Sequence, residues 1–407
     1  MKNKRIFGAS LDLLLCRPAF GLPFFFAVLS LVLFLSFGGV GDALERALEA
    51  LLSDLGKSLA ESMYARGASD FTVRCLIGGL YAALASAIAF LPQTLLFFVL
   101  IRILDDCGYL ARAVFVTDRF FRIFGMSGNA VVPLMLGYGC AVSSVCACRC
   151  SSSEQTAVTY ALPFVPCNAR LPVLLFLADT FFPQRRVLFA VFIFVLSFGL
   201  IFVSFLLTPA KAPAPALTAN ELPQYRFPRI RALLFEIKEK SREYLWRAVT
   251  AVLLCCAVFS ALTMLTPSIR PAESPAQSIL CLISERISFL FRPLGFDRGE
   301  ITAALIFGFF AKENMITVFQ ALSGGSLPHL SFPAAVSFSV FAAFYTPCAS
   351  LCFAVARRMG KATAVKLFLR TLACAYILSL TLYTLSHILF MYCQKYTIFH
   401  FCFYKYS

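Results

Sequence analysis

Apolar residues in this chain fall in long runs, and charged residues collect between the runs. Runs lie at Phe20–Phe37, Leu76–Leu104, 156–181, 187–207, Leu245–Leu265, 332–356 and 364–391. Most are near the length of about twenty residues that crosses a hydrocarbon core. Two further apolar stretches, 127–147 and 301–321, are interrupted by glycine or proline. Asp42–Asp70, through Leu44, Leu48, Leu51, Leu52 and Leu55, alternates apolar and charged residues at helical spacing, and so does Ser278–Leu294. Both predict amphipathic helices on the outer surface. Residues 105–122 predict a cytoplasmic amphipathic helix with a solvated charged face, carrying Asp105, Asp106, Arg112, Asp118, Arg119 and Arg122. The whole pattern predicts an all-α, polytopic membrane protein with about seven to nine membrane segments.

Composition agrees. Of 407 residues, 60% are hydrophobic and 14% charged; a soluble domain is about half apolar and about a quarter charged. The first run lies too deep, and other runs follow too closely, for a cleaved signal peptide. The net charge of +15 arises from 36 basic and 21 acidic residues. The excess lies between the apolar runs, so it marks cytoplasmic loops rather than nucleic-acid binding. The basic tip Met1–Arg5 places the N-terminus in the cytoplasm by the same rule. Most of the 16 cysteines lie in apolar sequence, which favours buried thiols or metal ligands over a secreted disulfide framework. Neither G-x-x-x-x-G-K-[ST] nor G-x-G-x-x-G occurs, so this chain is not expected to bind nucleotide.

Charge also sorts the crossings. The stretch Thr208–Glu243 holds Lys211, Arg226, Arg229, Arg231, Lys238, Lys240 and Arg242 and is predicted to be cytoplasmic. Simple alternation puts it outside if 127–147 crosses completely; a re-entrant segment restores it to the inside. Arg357, Arg358, Lys361 and Lys366 make the same demand of 301–321. Two incomplete crossings, one from each side, form an inverted repeat whose broken segments meet at the substrate site. The expected organisation is an N-terminal membrane half with a first gate (1–207), a cytoplasmic linker (208–243), a C-terminal membrane half with a second gate (244–391) and an aromatic tail (392–407).

The candidate chemistry centres on Pro133-Leu134-Met135-Leu136-Gly137-Tyr138-Gly139-Cys140. Glycine lets backbone leave the helix and proline removes a donor. In lipid, such a break is tolerated only inside protein or beside a cavity. Cys140, Cys167 and Cys348 each sit in a glycine- or proline-broken context. A thiolate suits divalent iron or zinc; the alternative is a small buried hydrophobe. Release demands weak binding, so a relay of one or two thiols at a time is expected rather than three closing on one ion. Glu313 beside Lys312 is an ionisable pair in an apolar segment. The carboxylate would draw a divalent cation and the lysine would balance it when empty; a structural ion pair is the alternative. Gly137, Gly139 and Pro347 are expected to support the gates. Asn168, with Arg170, is expected to hold carbonyls freed by Pro163, Pro166 and Pro172, with substrate contact as the alternative. Cys146-Ala147-Cys148-Arg149-Cys150 reads as lipid-facing or packing, with metal binding as the alternative, because positions i and i+2 do not share a helix face. Cys393, His400 and Cys402 read as an interfacial tail, and His329 and His387 as non-ligands.

Six further pieces accompany the first-gate stretch: Leu91-Pro92-Gln93, Asp106–Ala113, Pro163–Pro172, Glu221–Pro228, Gly308–Glu313 and Tyr345–Cys348. In this order they resemble the membrane portion of the bacterial ferrous iron transporter family FeoB, from about Leu15 to Leu385. The resemblance implies Fe²⁺ as transported substrate, a bacterial inner-membrane location, and an ion path lined by Cys140, Cys167, Cys348 and Glu313. It also implies a GTPase, supplied by a separate chain or missing, and small Feo-type accessory proteins; a homo-oligomer in the lipid bilayer is a further expectation. One departure stands out. The family's first gate continues Cys-Asn-Val-Pro-Ala, whereas here it reads Cys140-Ala141-Val142-Ser143-Ser144. The alternatives are a gate-domain carrier of a nucleoside or another divalent metal, and a non-transporting relic or scaffold.

Overall fold

The computed structural model describes residues 15–73, 76–77, 81–148, 150–210, 279–310 and 330–403, with scattered positions at 223, 225–226, 235, 238–239, 242, 246, 312, 315–316 and 318–319. Apart from Trp246, the expected span Leu245–Leu265 lies outside the described residues, as do Glu313, His329, most of the linker and the side chains of the tail cysteines. Among the described residues every regular element is helical. Five helical runs are long and apolar enough to cross a membrane: Ala19–Ala65, Ser152–Phe181, Arg186–Leu206, Phe332–Met359 and Lys361–Leu389. The chain is an all-α polytopic membrane protein. By packing it forms two units, one of Met1–Asn168 with Ser197–Ala257, the other of Ala169–Leu196 with Val258–Ser407.

In the first unit, α1 (Pro18–Leu33) passes through a π turn (Phe34–Gly38) into the amphipathic α2 (Val40–Ala65). Tyr81 holds α2 through a 2.7 Å hydrogen bond from its hydroxyl to the Leu52 carbonyl, and Gly56 leaves room for its ring. Leu44, Leu51, Leu55 and Leu59 stay exposed on α2. The apolar run expected at Leu76–Leu104 is divided into α3 (Ala82–Ala89) and α4 (Leu91–Asp106). Pro92 explains the division. Without an N–H, and with its ring set against the carbonyl four residues back, it opens a helix better than it continues one. Gly108, at φ +84°, then turns the chain into α5 (Tyr109–Arg122). This helix is less solvated than its charges predict, since Arg112 is only 2% exposed.

The stretch 127–147 is not one helix. A short 3₁₀ turn (Gly128–Ala130) leads into α6 (Val131–Gly139); Cys140 is extended at φ −155°, ψ 119°; and α7 (Ala141–Ala147) follows. Ser144 on α7 donates its hydroxyl to the carbonyl of Pro133 on α6. In a continuous helix those residues would stand about 16 Å apart, so the chain doubles back at Cys140. The arms have nine and seven residues, about 14 and 11 Å. Neither can cross a core of about 30 Å. After the hairpin come α8 (Ser152–Ala161), a broken stretch through Val165-Pro166-Cys167, and, in the second unit, α9 (Leu171–Phe181). Helix α10 spans Arg186–Leu206.

In the second unit, α11 (Ile279–Ser288) ends in a 3₁₀ segment, Phe289–Leu294, closed by Gly295 at φ +84°. Then come α12 (Gly299–Phe310), α13 (Phe332–Phe344), α14 (Ala349–Met359) and α15 (Lys361–Phe403). Helices α13 and α15 pack through a dry polar pair: the Ser337 and Ser379 hydroxyls lie 2.8 Å apart, and Ser379 also donates to the Ser337 carbonyl at 2.6 Å. A hydroxyl that satisfies a neighbouring helix is favoured where water is absent.

Candidate functional site

All three predicted cysteines stand at backbone breaks. Cys140 is the extended residue ahead of α7, and Cys348, at φ −65° and ψ 153°, is the extended residue ahead of α14. Cys167 sits between the 3₁₀ turns Leu162–Phe164 and Asn168–Arg170. Each is half-buried. The first amides of a helix have no internal acceptors and can be satisfied by a side chain at its start. The backbone amides of Val142 and Ser143 face the Cys140 sulfur, and Cys167 is close enough for the two thiols to interact electrostatically. Cys140 and Cys167 both lie in the first unit, and Cys348 in the second. Among the described residues no three His, Cys, Asp or Glu side chains gather as a metal cage.

Gly137 and Gly139 do not make the break in the helix. Gly137 and Gly139 lie within α6, and neither takes positive φ. Their value is closeness. A Cβ on Gly139 would land on the ring of Phe97, which is fully buried, and one on Gly137 would meet Leu162 at 3.0 Å and Val165 at 3.4 Å. Pro133 is tolerated because it falls in the first turn of α6. The departure from helix is made by Cys140 itself.

Asn168 is buried and donates its amide to the Thr94 hydroxyl at 3.3 Å rather than to a freed carbonyl. Arg170 does hold a carbonyl, that of Thr346 at 3.4 Å, in the break between Phe344 and Ala349. Pro347 is buried in the same break. Lys312, 4% exposed, places its ammonium 3.9 Å over the ring of Tyr345, whose hydroxyl donates to the Leu305 carbonyl at 2.7 Å. Two buried cations thus frame residues 345–348 (the ring of Tyr345 is 4% exposed).

Two carboxylates close the mouth of the hairpin: Glu154, which sequence reasoning passed over, and Asp118, which it placed on a solvated face. Glu154, 2% exposed, accepts from the Ser127 amide at 2.5 Å, the Ser151 amide at 3.1 Å and the Ser151 hydroxyl at 2.9 Å. Asp118 accepts from the Gly128 amide at 2.8 Å and from Arg122 Nε at 2.6 Å. Both ends of the hairpin, 127 and 151, are therefore fastened to one side chain. Arg112 forms a second latch, donating to the carbonyls of Gly108 at 2.8 Å and Pro223 at 3.0 Å and stacking 3.7 Å over Tyr225. Two of the motifs, Asp106–Ala113 and Glu221–Pro228, meet through it.

Helical breaks at cysteines and a hairpin too short to cross define a membrane protein with gate-type segments. The sequence profile of the family described as "Gate: Nucleoside recognition" matches residues 87–181 and 230–362, and the chain belongs to this family. It is 29% identical to the Fe(2+) transporter FeoB of Staphylococcus aureus (strain MSSA476), an alignment covering 95% of this chain and 60% of that protein. The FeoB of Campylobacter jejuni is 28% identical, over 93% of this chain and 65% of the relative. That of Legionella pneumophila (strain Lens) is 28% identical, over 78% and 43%. The chain thus spans at most about two thirds of the length of these relatives. The resemblance read from the motifs extends along nearly the whole sequence.

Proposed function

We propose that the chain is the membrane permease part of a ferrous iron transport system, with Fe²⁺ as cargo, in a bacterial inner membrane with its N-terminus in the cytoplasm. The observation that carries this reading is that Cys140, at the hairpin turn, and Cys167, in the following break, both stand on non-helical backbone within the first unit. Thiols beside loosened backbone offer soft ligands together with carbonyls, and no cage that would trap the ion. Cys348 and Glu313 would serve the second gate, and a GTPase and small Feo-type proteins would act from other chains. The relatives' names favour iron. Ferrous uptake into cells or vesicles tests the reading. Cys140→Ser and Cys167→Ser should each lower uptake by about tenfold or more, at least what loss of an outer-shell partner costs a metal site. Unchanged uptake in both rejects the thiol path, and no ferrous uptake by the wild-type chain with its partners rejects iron as cargo.

One observation favours a second reading. The family's description names nucleoside recognition, and Arg170 and Lys312 put two buried cations at the second gate. Thermal stabilisation by nucleosides but not by Fe²⁺ would select a nucleoside carrier.

A further inference from the structure

One face of α4 gathers the two breaks of the first unit. Thr94 and Phe97 stand at positions i and i+3 of that helix, so they share a face and lie about 4.5 Å apart along the axis. The ring of Phe97 lies against Gly139, the residue before Cys140. The Thr94 hydroxyl accepts from the Asn168 amide at 3.3 Å, and Asn168 is the residue after Cys167. Each cysteine break is thereby tied, through a neighbouring residue, to the same turn of one helix. Thr94 also fixes which way round the Asn168 amide stands. Its hydroxyl proton goes to the Phe90 carbonyl at 3.0 Å, so toward Asn168 the hydroxyl can only accept. The amide nitrogen faces Thr94, and the carbonyl oxygen Oδ1 faces away. Asn168 is 4% exposed, yet among the described residues no donor meets Oδ1. A buried acceptor is normally paired. Cys140 and Cys167 are only half-buried, so the space beside them is open.

We propose that the Asn168 carbonyl oxygen is a further ligand for the cargo ion, beside the thiols of Cys140 and Cys167, and that Thr94 is the positioning residue that turns it toward the ion. The inference rests on the reading of those thiols as the iron path. Two thiols alone do not select iron. They hold softer ions at least as well, and Zn²⁺ stands above Fe²⁺ in the general order of affinity. An amide oxygen is a hard donor, so it adds to the hold on Fe²⁺ and little to the hold on a soft ion. Being uncharged, it also leaves the ion free to depart, as conduction requires. Asn168 is thus the residue through which the first gate prefers iron.

The test is anaerobic titration of the reduced, full-length chain in nanodiscs with Fe²⁺ and, separately, with Cd²⁺ as a soft-ion probe of the thiols. Asn168→Ala should weaken Fe²⁺ binding by about tenfold or more, the scale on which a metal site answers the loss of a partner, and should shift Cd²⁺ binding by less than about threefold. Thr94→Val should weaken Fe²⁺ by about tenfold, because the released amide can turn its N–H toward the ion, and Thr94→Ser should restore it by keeping the hydroxyl. Were Thr94 only packing, valine would replace it better than serine. Wild-type Fe²⁺ affinity in Asn168→Ala overturns the proposal and leaves the iron path standing. If that variant loses both ions alike, the gate has been lost with it and the Thr94 pair decides: equal Fe²⁺ affinity in the valine and serine variants overturns the proposal. A wild-type chain that binds Cd²⁺ and no Fe²⁺ removes the iron reading and this inference together.

Discussion

Replacing Glu154 with glutamine should loosen the hairpin at its base without changing side-chain size. The carboxylate accepts three hydrogen bonds, two of them from backbone amides on either side of the hairpin. Glutamine keeps one acceptor oxygen and turns the other into a donor, so one of those amides faces another N–H. A hydrogen bond to a charged group contributes about 1.5–3 kcal/mol, and a buried donor left unmade costs about 1–3 kcal/mol. Because the two figures describe partly the same loss, about 2–3 kcal/mol is the expected cost of local closure. At about 1.4 kcal/mol per factor of ten, amide exchange should accelerate about 30- to 150-fold. Hydrogen–deuterium exchange on the chain in nanodiscs reads this in peptides spanning 126–131 and 150–155, while peptides from α15 serve as the internal control. Acceleration of less than about twofold at both ends would mean that Glu154 fastens nothing.

Two other substitutions probe the neighbouring packing. Gly139→Ala drives a methyl into the buried Phe97 ring, and overpacking of that kind should cost about 1–3 kcal/mol, seen as a lower unfolding temperature with Cys140 still in place. Arg112→Lys keeps the charge but cannot stack flat on Tyr225 while reaching the Gly108 and Pro223 carbonyls together. Limited proteolysis should then cut near Pro223–Arg226 several-fold faster, the loss of a cation–π contact worth about 0.5–2 kcal/mol.

The alternation of charge between apolar runs was enough to require that 127–147 turn back, and the Cys140 reversal meets that requirement. What charge counting misses is how the turn is made. Glycine and proline read as helix breakers, yet Gly137, Gly139 and Pro133 all lie in α6, and the extended residue is a cysteine. Steric permission to leave a helix is a local property, whereas the reason these glycines are small is Phe97, Leu162 and Val165, contributed from elsewhere in the chain. Glu154 was within reach of sequence reasoning: Ser151-x-x-Glu154 ahead of an apolar run is the pattern of a capping box, and that box forms. Its further grip on Ser127, 27 residues away, was not. The same holds for Arg112, whose charge predicts a solvated face and whose burial depends on a carbonyl 111 residues later. Long-range partners decide whether a charge is covered, and spacing carries no trace of them.

The depth of the hairpin turn has an electrical consequence. In the orientation proposed above, an arm of about 14 Å upright in a layer of about 30 Å would bring its tip near mid-depth. An ion held at Cys140 would then have passed through about half of the membrane voltage. Each elementary charge gains or loses about 2.3 kcal/mol per 100 mV across the full layer, so a divalent ion at that depth is weighted by about 2.3 kcal/mol, or about 50-fold in occupancy. Occupancy of the turn would respond to the membrane's polarisation as well as to metal concentration, and depolarising the vesicle would change loading with no change in any ligand.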